Sequence, residues 1–413
     1  MTVESVVIVG AGQSGGRTAA LLRQEGFEGD ICLIGAEPHA PYERPPLSKA
    51  VLKGEKDASH CFLYDAAFYD DNRITLKTGT RVEAIDTTAG TVSLSDGSVL
   101  PYGALVLATG GVVKRLPLPG ADLKGIHVVR TLEDSAELGA DLTPGARVAV
   151  IGGGFIGLET AASARQMGCD VTVLEGAPRI LGRSVPQEVA DVVARLHTDN
   201  GVKIDLNVRI AGFEGKDGKV TAIRFQDGSE MPCDVVVIGI GIAPGVDLAE
   251  AAGIPCEDGI LVDEFGATRV AGVYATGDCA RAVNPHYGEA IRLESWQNAD
   301  MQARAVARSI CGKPEAYAPV PWLWSDQYDW TLQTAGLPGK CDTVVTRGSY
   351  EDGAVIFFTF EKGTLTGVAG FGQVSAIAKD VKVAQMMMER GVNPDPGLLA
   401  DTAMPLRKIM KAA

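Results

Sequence analysis

The chain has 413 residues, 46% of them apolar and 22% charged, which predicts two or three globular domains with separate cores. The formal net charge of −14 argues against nucleic acid as a main partner, because phosphate binding needs a basic face. Apolar stretches stay shorter than the roughly 18 residues of a bilayer span, and the N-terminus lacks a secretory pattern. We therefore expect a cytoplasmic protein without a membrane segment.

The chain begins with an apolar run, Val6 to Val9, that turns abruptly into glycine. The apolar residues predict a parallel strand buried on both faces, and a helix is expected after the glycines. Gly10 lets the chain turn, Gly12 lets the backbone approach a pyrophosphate, and Gly15 lets helix and strand pack closely. Because the free N–H groups of a first helical turn bind anions, we expect a dinucleotide here.

A second apolar run, Ile31 to Ile34, leads to Glu37, 22 residues beyond Gly15. A carboxylate at this spacing accepts hydrogen bonds from a ribose diol. The glycine pattern alone would also suit an ordinary turn. Strand, glycines, helix, strand and acid in this order favour the dinucleotide site.

Two prolines fix an irregular segment from Tyr42 to Lys49, which would bring Arg44 and Lys49 near the pyrophosphate end of the first ligand. The alternative is a surface loop with two solvated cations. Val82, in a strand-like run, either lines an adenine pocket or packs within its strand.

Another buried strand, Leu105 to Leu107, ends in the small residues Ala108, Thr109 and Gly110 and should pass the first ligand again. A domain crossing is expected between about residues 111 and 116, because the glycine pattern begins afresh soon afterwards.

The strand, glycine turn and helix recur between residues 148 and 157, where the glycines are Gly152, Gly154 and Gly157. One chain should therefore carry two dinucleotide sites. A late strand that ends in Gly241 repeats the pattern from Leu105 to Gly111, which predicts two similar, nested halves.

The acid of the second site is Glu175, 18 residues beyond Gly157. Its carboxylate would bond a free ribose 2′-OH and repel a 2′-phosphate, so the second ligand is expected to be NAD rather than NADP. Arg179 and Arg183 lie close enough in sequence to weaken this preference.

Asp278 follows a short strand, where its carboxylate would bind a polyol chain, cap a helix, or do both. Trp296 opens a helix predicted to run to Ile310 and should face the same cavity. Trp322 and Trp324 precede a third region and would be either core residues or part of an electron path.

The third region reads as an α+β domain, with antiparallel strands at 344–347, 354–360 and 366–371 and a helix at 378–390. The eight cysteines are scattered, without two inside four residues of each other. This spacing argues against a dithiol centre and against a metal site, so neither is expected.

These motifs together resemble the FAD-dependent pyridine-nucleotide oxidoreductases, most closely the NADH-dependent ferredoxin reductases of bacterial oxygenase and cytochrome P450 systems. The resemblance covers nearly the whole chain and rests on residues 44–49, 108–110, 275–278 and 324–327. It implies an α/β fold with two nested Rossmann-like dinucleotide-binding domains, of the glutathione-reductase type, and a C-terminal α+β domain. The expected domains are 1–113 with 245–322 for FAD, 114–244 for NAD, and 323–413 as a C-terminal interface domain.

The resemblance implies FAD and NAD(H) as cofactors. The residues expected at FAD are Gly10, Gly12, Gly15, Glu37, Arg44, Lys49, Val82, Ala108, Thr109, Gly110, Arg130, Asp278 and Trp296. Those expected at NAD are Gly152, Gly154, Gly157, Glu159, Glu175, Arg183 and Gly241. Lys49 and Glu159 are expected beside the flavin and the nicotinamide, and Trp322 and Trp324 at the electron exit.

The implied chemistry is hydride transfer from NADH to the flavin, then single-electron transfer to a small acidic [2Fe-2S] ferredoxin, without a covalent thiol step. The expected state is a monomer or weak homodimer. The residues leave two alternatives open, an NADH oxidase and an NAD-responsive flavoprotein like apoptosis-inducing factor.

The C-terminal region from Leu323 carries nine Lys and Arg against ten Asp and Glu, whereas the rest carries 29 against 42. A nearly neutral domain thus follows a strongly acidic body. Its cations would either form a positive patch that steers an acidic partner or belong to a mixed-charge surface. They include Lys379, Lys382, Arg407, Lys408 and Lys411.

Overall fold

The computed structural model describes residues 3–412 as two compact units. The first runs from the start of the described chain to Glu43 and includes Ser59–Val112 and Ile242–Pro319. The second comprises Arg44–Ala58, Val113–Gly241 and the chain from Val320 onward. The division into three domains stays a prediction. Within residues 3–412, no helix has the length and apolar character to cross a bilayer.

The helices of the described chain are α1 (Gln13–Gln24), α2 (Ala67–Asp71), α3 (Leu132–Asp141), α4 (Phe155–Gln166), α5 (Gln187–Asp199), α6 (Asp247–Ala251), α7 (Trp296–Ile310), α8 (Val374–Glu389), α9 (Pro396–Ala400) and α10 (Leu406–Ala412). Short 3₁₀ turns span Pro45–Ser48, Ala58–Cys61 and Gly277–Cys279. The predicted helix from Trp296 to Ile310 is confirmed.

The strands are β1 (Ser5–Val9), β2 (Asp30–Ile34), β3 (Ile74–Lys77), β4 (Val82–Asp86), β5 (Thr91–Leu94), β6 (Val99–Pro101), β7 (Ala104–Leu107), β8 (Gly111–Val113), β9 (Ile126–His127), β10 (Arg147–Ile151), β11 (Asp170–Leu174), β12 (Lys203–Asp205), β13 (Ile210–Lys216), β14 (Lys219–Phe225), β15 (Glu230–Pro232), β16 (Val235–Ile238), β17 (Ile242–Pro244), β18 (Ile260–Val262), β19 (Val273–Ala275), β20 (Ala280–Asn284), β21 (Glu289–Arg292), β22 (Trp322–Gln327), β23 (Trp330–Gly336), β24 (Thr343–Ser349), β25 (Ala354–Glu361) and β26 (Thr364–Gly372).

The first unit is built on a parallel sheet of order β19-β7-β1-β2-β3. Successive residues of β1 point to opposite faces, so Val7 and Val9 join one hydrophobic core while Val6 and Ile8 join another. Burial on both faces explains the apolar runs Val6–Val9 of β1 and Ala104–Leu107 of β7. The carboxyl ends of β1 and β2 lead into the glycine turn and Glu37.

The second unit repeats this arrangement in a sheet of order β12-β11-β10-β16-β9. Strand β10 pairs in parallel with β11 and β16, as β1 pairs with β2 and β7. Val148 and Val150 pack on one face and Ala149 and Ile151 on the other. The prediction of two similar halves is therefore confirmed.

A five-stranded antiparallel sheet of order β22-β23-β26-β25-β24 forms the C-terminal part of the second unit. The three predicted strands are confirmed as β24, β25 and β26, but β22 and β23 were not assigned from the sequence. The turn between these two contains Tyr328 at φ +59°, a conformation that normally signals glycine. The predicted start of the last long helix at 378 was wrong, since α8 begins at Val374.

Candidate active site

The first glycine loop, Gly10–Gly15, joins β1 to α1 and is shaped by close backbone contacts. Gly10 has φ +109°, and a side chain there would place its Cβ 2.1 Å from the carbonyl oxygen of Ala108. A Cβ on Gly15 would lie 1.9 Å from the oxygen of Gly10. At Gly12, the N-cap of α1, a Cβ would meet no atom of residues 3–412 within 4 Å, and no side chain among these residues caps the helix. The loop therefore offers backbone donors and open space to an anion.

Helix α7 is fastened to this loop by polar contacts within the first unit. The hydroxyl of Ser14 lies 2.8 Å from that of Thr276 and donates to the oxygen of Ala299 at 3.0 Å. Gln13 Nε2 donates to the oxygen of Trp296 at 3.1 Å. Trp296, predicted at FAD, therefore lies close to the glycine loop, and its indole Nε1 donates to Glu43.

The other predicted FAD residues of the first unit have distinct settings. Glu37 accepts a hydrogen bond from the hydroxyl of Tyr42. Thr109 donates to the oxygen of Gly245 at 2.5 Å. Val82 is buried with the aliphatic residues of β5, which fits packing within a strand as well as an adenine pocket. Asp278 lies in the 3₁₀ turn after β19 and is half-buried.

Arg44, Lys49 and Arg130, the remaining predicted FAD residues, belong to the second unit. The Arg44 guanidinium donates to the backbone oxygen of Arg130. The Arg130 amide in turn donates to Asp134 Oδ2 at 2.9 Å, beside the capping box that starts α3. The segment after residue 43 is thus fixed by specific contacts, which disfavours a solvated loop as the explanation of its cations.

The second glycine loop, Gly152–Gly157, has the same construction. A Cβ on Gly152, at φ +107°, would lie 2.5 Å from the oxygen of Gly239, and one on Gly157 would lie 2.0 Å from the oxygen of Gly152. Gly154 is the N-cap of α4, has open space around it and leaves the helix without a side-chain cap. The structure thus provides a second helix N-terminus that suits a pyrophosphate.

Glu175 follows β11, and its carboxylate is held by two backbone donors. Its Oε2 accepts from the Gly153 amide and its Oε1 from the Ala177 amide, each at 2.7 Å. The carboxylate therefore lies against the second glycine loop, where the sequence predicted a ribose partner.

The arginines near Glu175 are arranged differently from one another. Arg179 donates to the backbone oxygens of Val185 and Gly182, at 2.6 and 2.8 Å. Its guanidinium therefore stabilises the local turn that follows it in the sequence. Arg183 is exposed, and its Nη2 would lie 3.5 Å from a Cβ on Gly241. Arg209, which sequence reasoning missed, donates to the oxygen of Gly176 at 2.7 Å.

Glu159 lies in the second turn of α4 and is almost completely buried. Its Oε2 accepts from the Ser48 hydroxyl at 2.6 Å and pairs with Lys49 Nζ at 2.9 Å. Its Oε1 accepts from the Ser325 hydroxyl at 2.7 Å. Burying a carboxylate costs free energy unless it is paired and hydrogen-bonded, and here both conditions are met. Lys49 and Glu159, which the resemblance implies beside the flavin and the nicotinamide, are in direct contact.

The polar contacts continue from Ser325 into the second unit. Gln327 Nε2 donates to the Ser325 oxygen at 3.1 Å, and Gln327 Oε1 lies 2.8 Å from His197 Nε2. Burial lowers the pKa of His197 to about 4 although the Gln327 hydrogen bond opposes the shift, so the imidazole is neutral near pH 7. Ser48, Ser325 and Gln327 lie in the motifs that carry the resemblance but were not assigned to the site from the sequence, and His197 was not singled out at all.

Trp322 and Trp324 occupy alternate positions of β22 and stack on each other, with ring centroids 5.1 Å apart. The indole Nε1 of Trp324 donates to Asp326 Oδ2 at 3.2 Å. Ser325 and Gln327 lie on the opposite face of the strand. One face of β22 thus carries the aromatic pair and the other contacts the Glu159 cluster.

Several thiols of the described chain are buried and have raised pKa values. Burial raises the pKa of Cys233 and of Cys256 to about 11, and it raises the pKa of the fully buried Cys279. A raised pKa leaves little thiolate, the reactive form, near neutral pH. Cys61, the cysteine next after the Tyr42–Lys49 segment, is buried. Residues 3–412 contain no group of three or more His, Cys, Asp or Glu placed to hold a metal ion.

Comparison with known proteins finds related families and relatives over nearly the whole chain. Residues 4–303 match the family described as pyridine nucleotide-disulphide oxidoreductase, and residues 322–410 match the reductase C-terminal family. The anthranilate 1,2-dioxygenase system ferredoxin–NAD+ reductase component of Burkholderia cepacia is 42% identical over 99% of this chain and 100% of its own length.

Two solved structures are similar throughout. A ferredoxin reductase of Rhodopseudomonas palustris has a TM-score of 0.94 and 38% identity, covering 98% of this chain and 99% of its own. The covalent putidaredoxin reductase–putidaredoxin complex has a TM-score of 0.96 and 36% identity, covering 100% of this chain and 99% of the matched one.

Proposed function

The chain belongs to the pyridine nucleotide-disulphide oxidoreductase family, and on that premise we propose that it is an FAD-dependent ferredoxin reductase. It oxidises NADH and passes electrons singly to a small acidic [2Fe-2S] ferredoxin that serves an oxygenase or cytochrome P450. It acts in the cytoplasm as a monomer or weak homodimer. The relatives described above support this partner class, since one is a component of a dioxygenase system and another is joined to a putidaredoxin.

The observation that carries the proposal is the repeated glycine loop. Both loops have an N-cap glycine with open space, Gly12 and Gly154, at the start of a helix without a side-chain cap. Both are followed by a second strand and a carboxylate, Glu37 or Glu175. Two dinucleotides bound by one chain are what hydride exchange between FAD and NADH requires.

The residues present fit both dinucleotides. In the first unit, the glycine loop would hold the FAD pyrophosphate, Glu37 a ribose and Asp278 the polyol chain. In the second unit, the other loop would hold the NADH pyrophosphate and Glu175 the adenosine ribose. When bound, FAD accepts two electrons as a hydride and releases them one at a time.

The second-unit cluster around Glu159 supplies orientation. Glu159 and Lys49 form a buried ion pair whose geometry is fixed by the hydroxyls of Ser48 and Ser325. We assign this pair the task of orienting the nicotinamide. A fixed, water-poor arrangement of charges stabilises a reacting geometry without reorganising during the reaction.

The exit of electrons is proposed at the C-terminal domain. The apolar sides of α8 and α10 share one core, including Val381 and Ile409, and their cations face solvent. The exposed cations of these two helices are Lys379, Lys382, Arg407, Lys408 and Lys411. The two helices are in contact, and Lys382 also pairs with Glu389 at 4.0 Å. These cations would form a positive patch that attracts an acidic ferredoxin.

The test is a reconstituted electron-transfer assay. Purified protein should be yellow, release one FAD per chain, and reduce an acidic [2Fe-2S] ferredoxin with NADH. Rapid oxygen consumption with NADH alone would instead indicate an NADH oxidase. A flavin that NADH reduces but that turns over poorly with every ferredoxin would indicate an NAD-responsive flavoprotein.

The exit is tested by salt and by one substitution. Raising the ionic strength to a physiological value, where the Debye length is about 8 Å, should slow ferredoxin reduction while a small neutral acceptor is hardly affected. Trp324→Ala should slow ferredoxin reduction more than flavin reduction by NADH. Equal losses in both steps, or a ferredoxin rate indifferent to salt, would place the exit elsewhere.

A further inference from the structure

We infer that Ser325, Gln327 and His197 form a directional hydrogen-bond chain that positions the Glu159 carboxylate, and that these three are positioning residues for hydride transfer. The inference rests on the role proposed above for Glu159. It adds residues that lie 38 to 168 positions away from Glu159 in the sequence but are continuous with it in the second unit.

The direction of the chain follows from chemistry, starting at the carboxylate. An ionised Glu159 can only accept hydrogen bonds, so the Ser325 hydroxyl, 2.7 Å from Oε1, must donate to it. The Ser325 oxygen is then an acceptor, and the group that Gln327 presents to it at 3.1 Å is the amide nitrogen.

The same argument determines the tautomer of His197. With its nitrogen turned to Ser325, Gln327 presents its oxygen to His197 Nε2 at 2.8 Å. His197 must therefore carry its proton on Nε2 and leave Nδ1 as an acceptor. The hydroxyl of Tyr328 lies 3.4 Å from Nδ1, at the long end of hydrogen-bond distances, and is placed to donate. Every donor along the chain points toward Glu159.

The residues of this hydrogen-bond chain are buried, which makes the direction of each hydrogen bond important for stability. Glu159, Ser325, Gln327 and His197 are all at most 3% exposed. Hydrogen bonds in such an environment are stronger than in water and polarise one another, whereas a buried group left without its partner is costly. Oε2 of Glu159 already has two partners, so Ser325 is the contact that fixes the other oxygen and hence the plane of the carboxylate.

Other charged groups do not account for the arrangement. Helix α4 packs against the 3₁₀ turn Pro45–Ser48, β10, β11 and β22. Lys49 follows that turn and pairs with Oε2. Asp326, on β22, accepts from Trp324 on the opposite strand face. Arg147 and Asp170 stand at the amino ends of β10 and β11, away from the glycine loop.

The kinetic test measures flavin reduction by NADH in single turnovers of the holoenzyme. Ser325→Ala should lower the limiting rate about tenfold, which is about 1.4 kcal/mol of barrier. The Kd for NADH should change less than twofold, because Glu175 and the second glycine loop still bind the adenosine half. Gln327→Leu should lower the rate about threefold and His197→Phe about twofold, since polarisation weakens along a chain.

The matched control is Thr331→Val. Thr331 lies on β23, is as buried as Ser325, and its Oγ1 makes no hydrogen bond within the described chain. This variant should keep the wild-type rate, and its flavin content and melting temperature provide the reference for Ser325→Ala. If the limiting rate of Ser325→Ala stayed within twofold of that of Thr331→Val, the proposed role of the hydrogen-bond chain would be wrong.

A second readout is independent of turnover. Labelling the five histidines with ¹⁵N and assigning His197 by its absence from His197→Phe should show Nε2 protonated and Nδ1 unprotonated. A proton on Nδ1 would reverse the chain and overturn the inference. Glu159→Gln separates the two proposals. If it slows hydride transfer while Ser325→Ala does not, the role of Glu159 stands and the chain fails; if it has no effect, the role proposed for Glu159 fails.

Discussion

The two halves of the molecule place different residues at one equivalent position, just inside the helix that follows each glycine loop. Gly10, Gly12 and Gly15 correspond to Gly152, Gly154 and Gly157, which makes Arg17 the counterpart of Glu159. Arg17 is partly exposed and pairs with Asp300 of α7, with a further bond to Tyr64 at 3.0 Å. Glu159 is buried against Lys49 and two hydroxyls.

This difference separates what the loop requires from what the site requires. Steric constraints dictate the glycines, so both loops have the same backbone. The helix position two residues later is free of them. In the first half it carries a structural ion pair between α1 and α7, and in the second it carries the acid that we assign to the nicotinamide.

The largest expected effect comes from breaking one loop at a time. Gly15→Ala puts a Cβ 1.9 Å from the Gly10 oxygen, and Gly157→Ala puts one 2.0 Å from the Gly152 oxygen. Backbone on both sides leaves little room to adjust, so each should cost about 1–3 kcal/mol or more. Gly15→Ala should lose FAD, while Gly157→Ala should keep the yellow colour but lose NADH binding.

The controls are Gly12→Ala and Gly154→Ala, where the added Cβ meets nothing within 4 Å. Both should fold with wild-type melting temperatures and weaken only the matching ligand. Flavin absorbance and NADH titration measure the two outcomes. If Gly157→Ala released FAD as readily as Gly15→Ala, the two loops would not act on separate ligands.

The next largest effect is a loss of folding stability at acid pH, which we expect His197 of the second unit to cause. The folded pKa of His197 is about 4, below its ordinary 6.5 because of burial. The unfolded chain therefore binds a proton that the folded chain does not between these values. Keeping His197 neutral therefore contributes about 3 kcal/mol to the free energy of unfolding. This contribution is fully present above pH 6.5 and is lost as the pH falls toward 4. Denaturant unfolding of His197→Phe should lack this dependence.

His286→Gln, at an exposed position of the first unit, is the control for this measurement and should unfold like the wild type at every pH. A wild-type stability that stays constant from pH 6.5 to pH 4.5 would contradict the buried neutral imidazole.

A smaller effect, on the preference for NADH over NADPH, is expected when Glu175 is replaced. Glu175→Ala removes a carboxylate that accepts from two backbone amides. The preference for NADH over NADPH should narrow by about tenfold or more, chiefly through KM, because the lost contact is uniform binding. Arg183 and Arg209 lie in the same region and would assist a 2′-phosphate. A wild-type preference for NADPH would refute the assignment.

The smallest effect is expected for Cys61→Ser. Cys61 is buried in the first unit and is the first cysteine after the Tyr42–Lys49 segment. Ferredoxin-linked activity should survive the substitution. A loss greater than about tenfold, or about 1.4 kcal/mol of barrier, with FAD still bound would show that a thiol takes part.

Local patterns explain which parts were predictable. Each glycine loop lies with its two flanking strands and its acid in one local segment, residues 6–37 or 148–175. The prediction of two nested halves follows from the repetition of that pattern. Glu159 and Lys49 entered through the resemblance, whose motifs include Arg44–Lys49. Hairpin β22–β23 was missed because Tyr328, rather than glycine, occupies its left-handed turn. Without that strand, nothing indicated that Ser325 and Gln327 share a face.

The sequence by itself determined the two glycine loops, since only glycine tolerates a carbonyl oxygen about 2 Å from the position of its missing Cβ. It also determined the continuous apolar runs that are buried on both faces of the central parallel strands. Only the tertiary structure decided that Ser48 and Ser325 would join Lys49 at one carboxylate and that His197 would be linked to Ser325 through Gln327. Such contacts join distant segments through packing, and a buried charge selects its partners by position in space rather than by spacing along the chain.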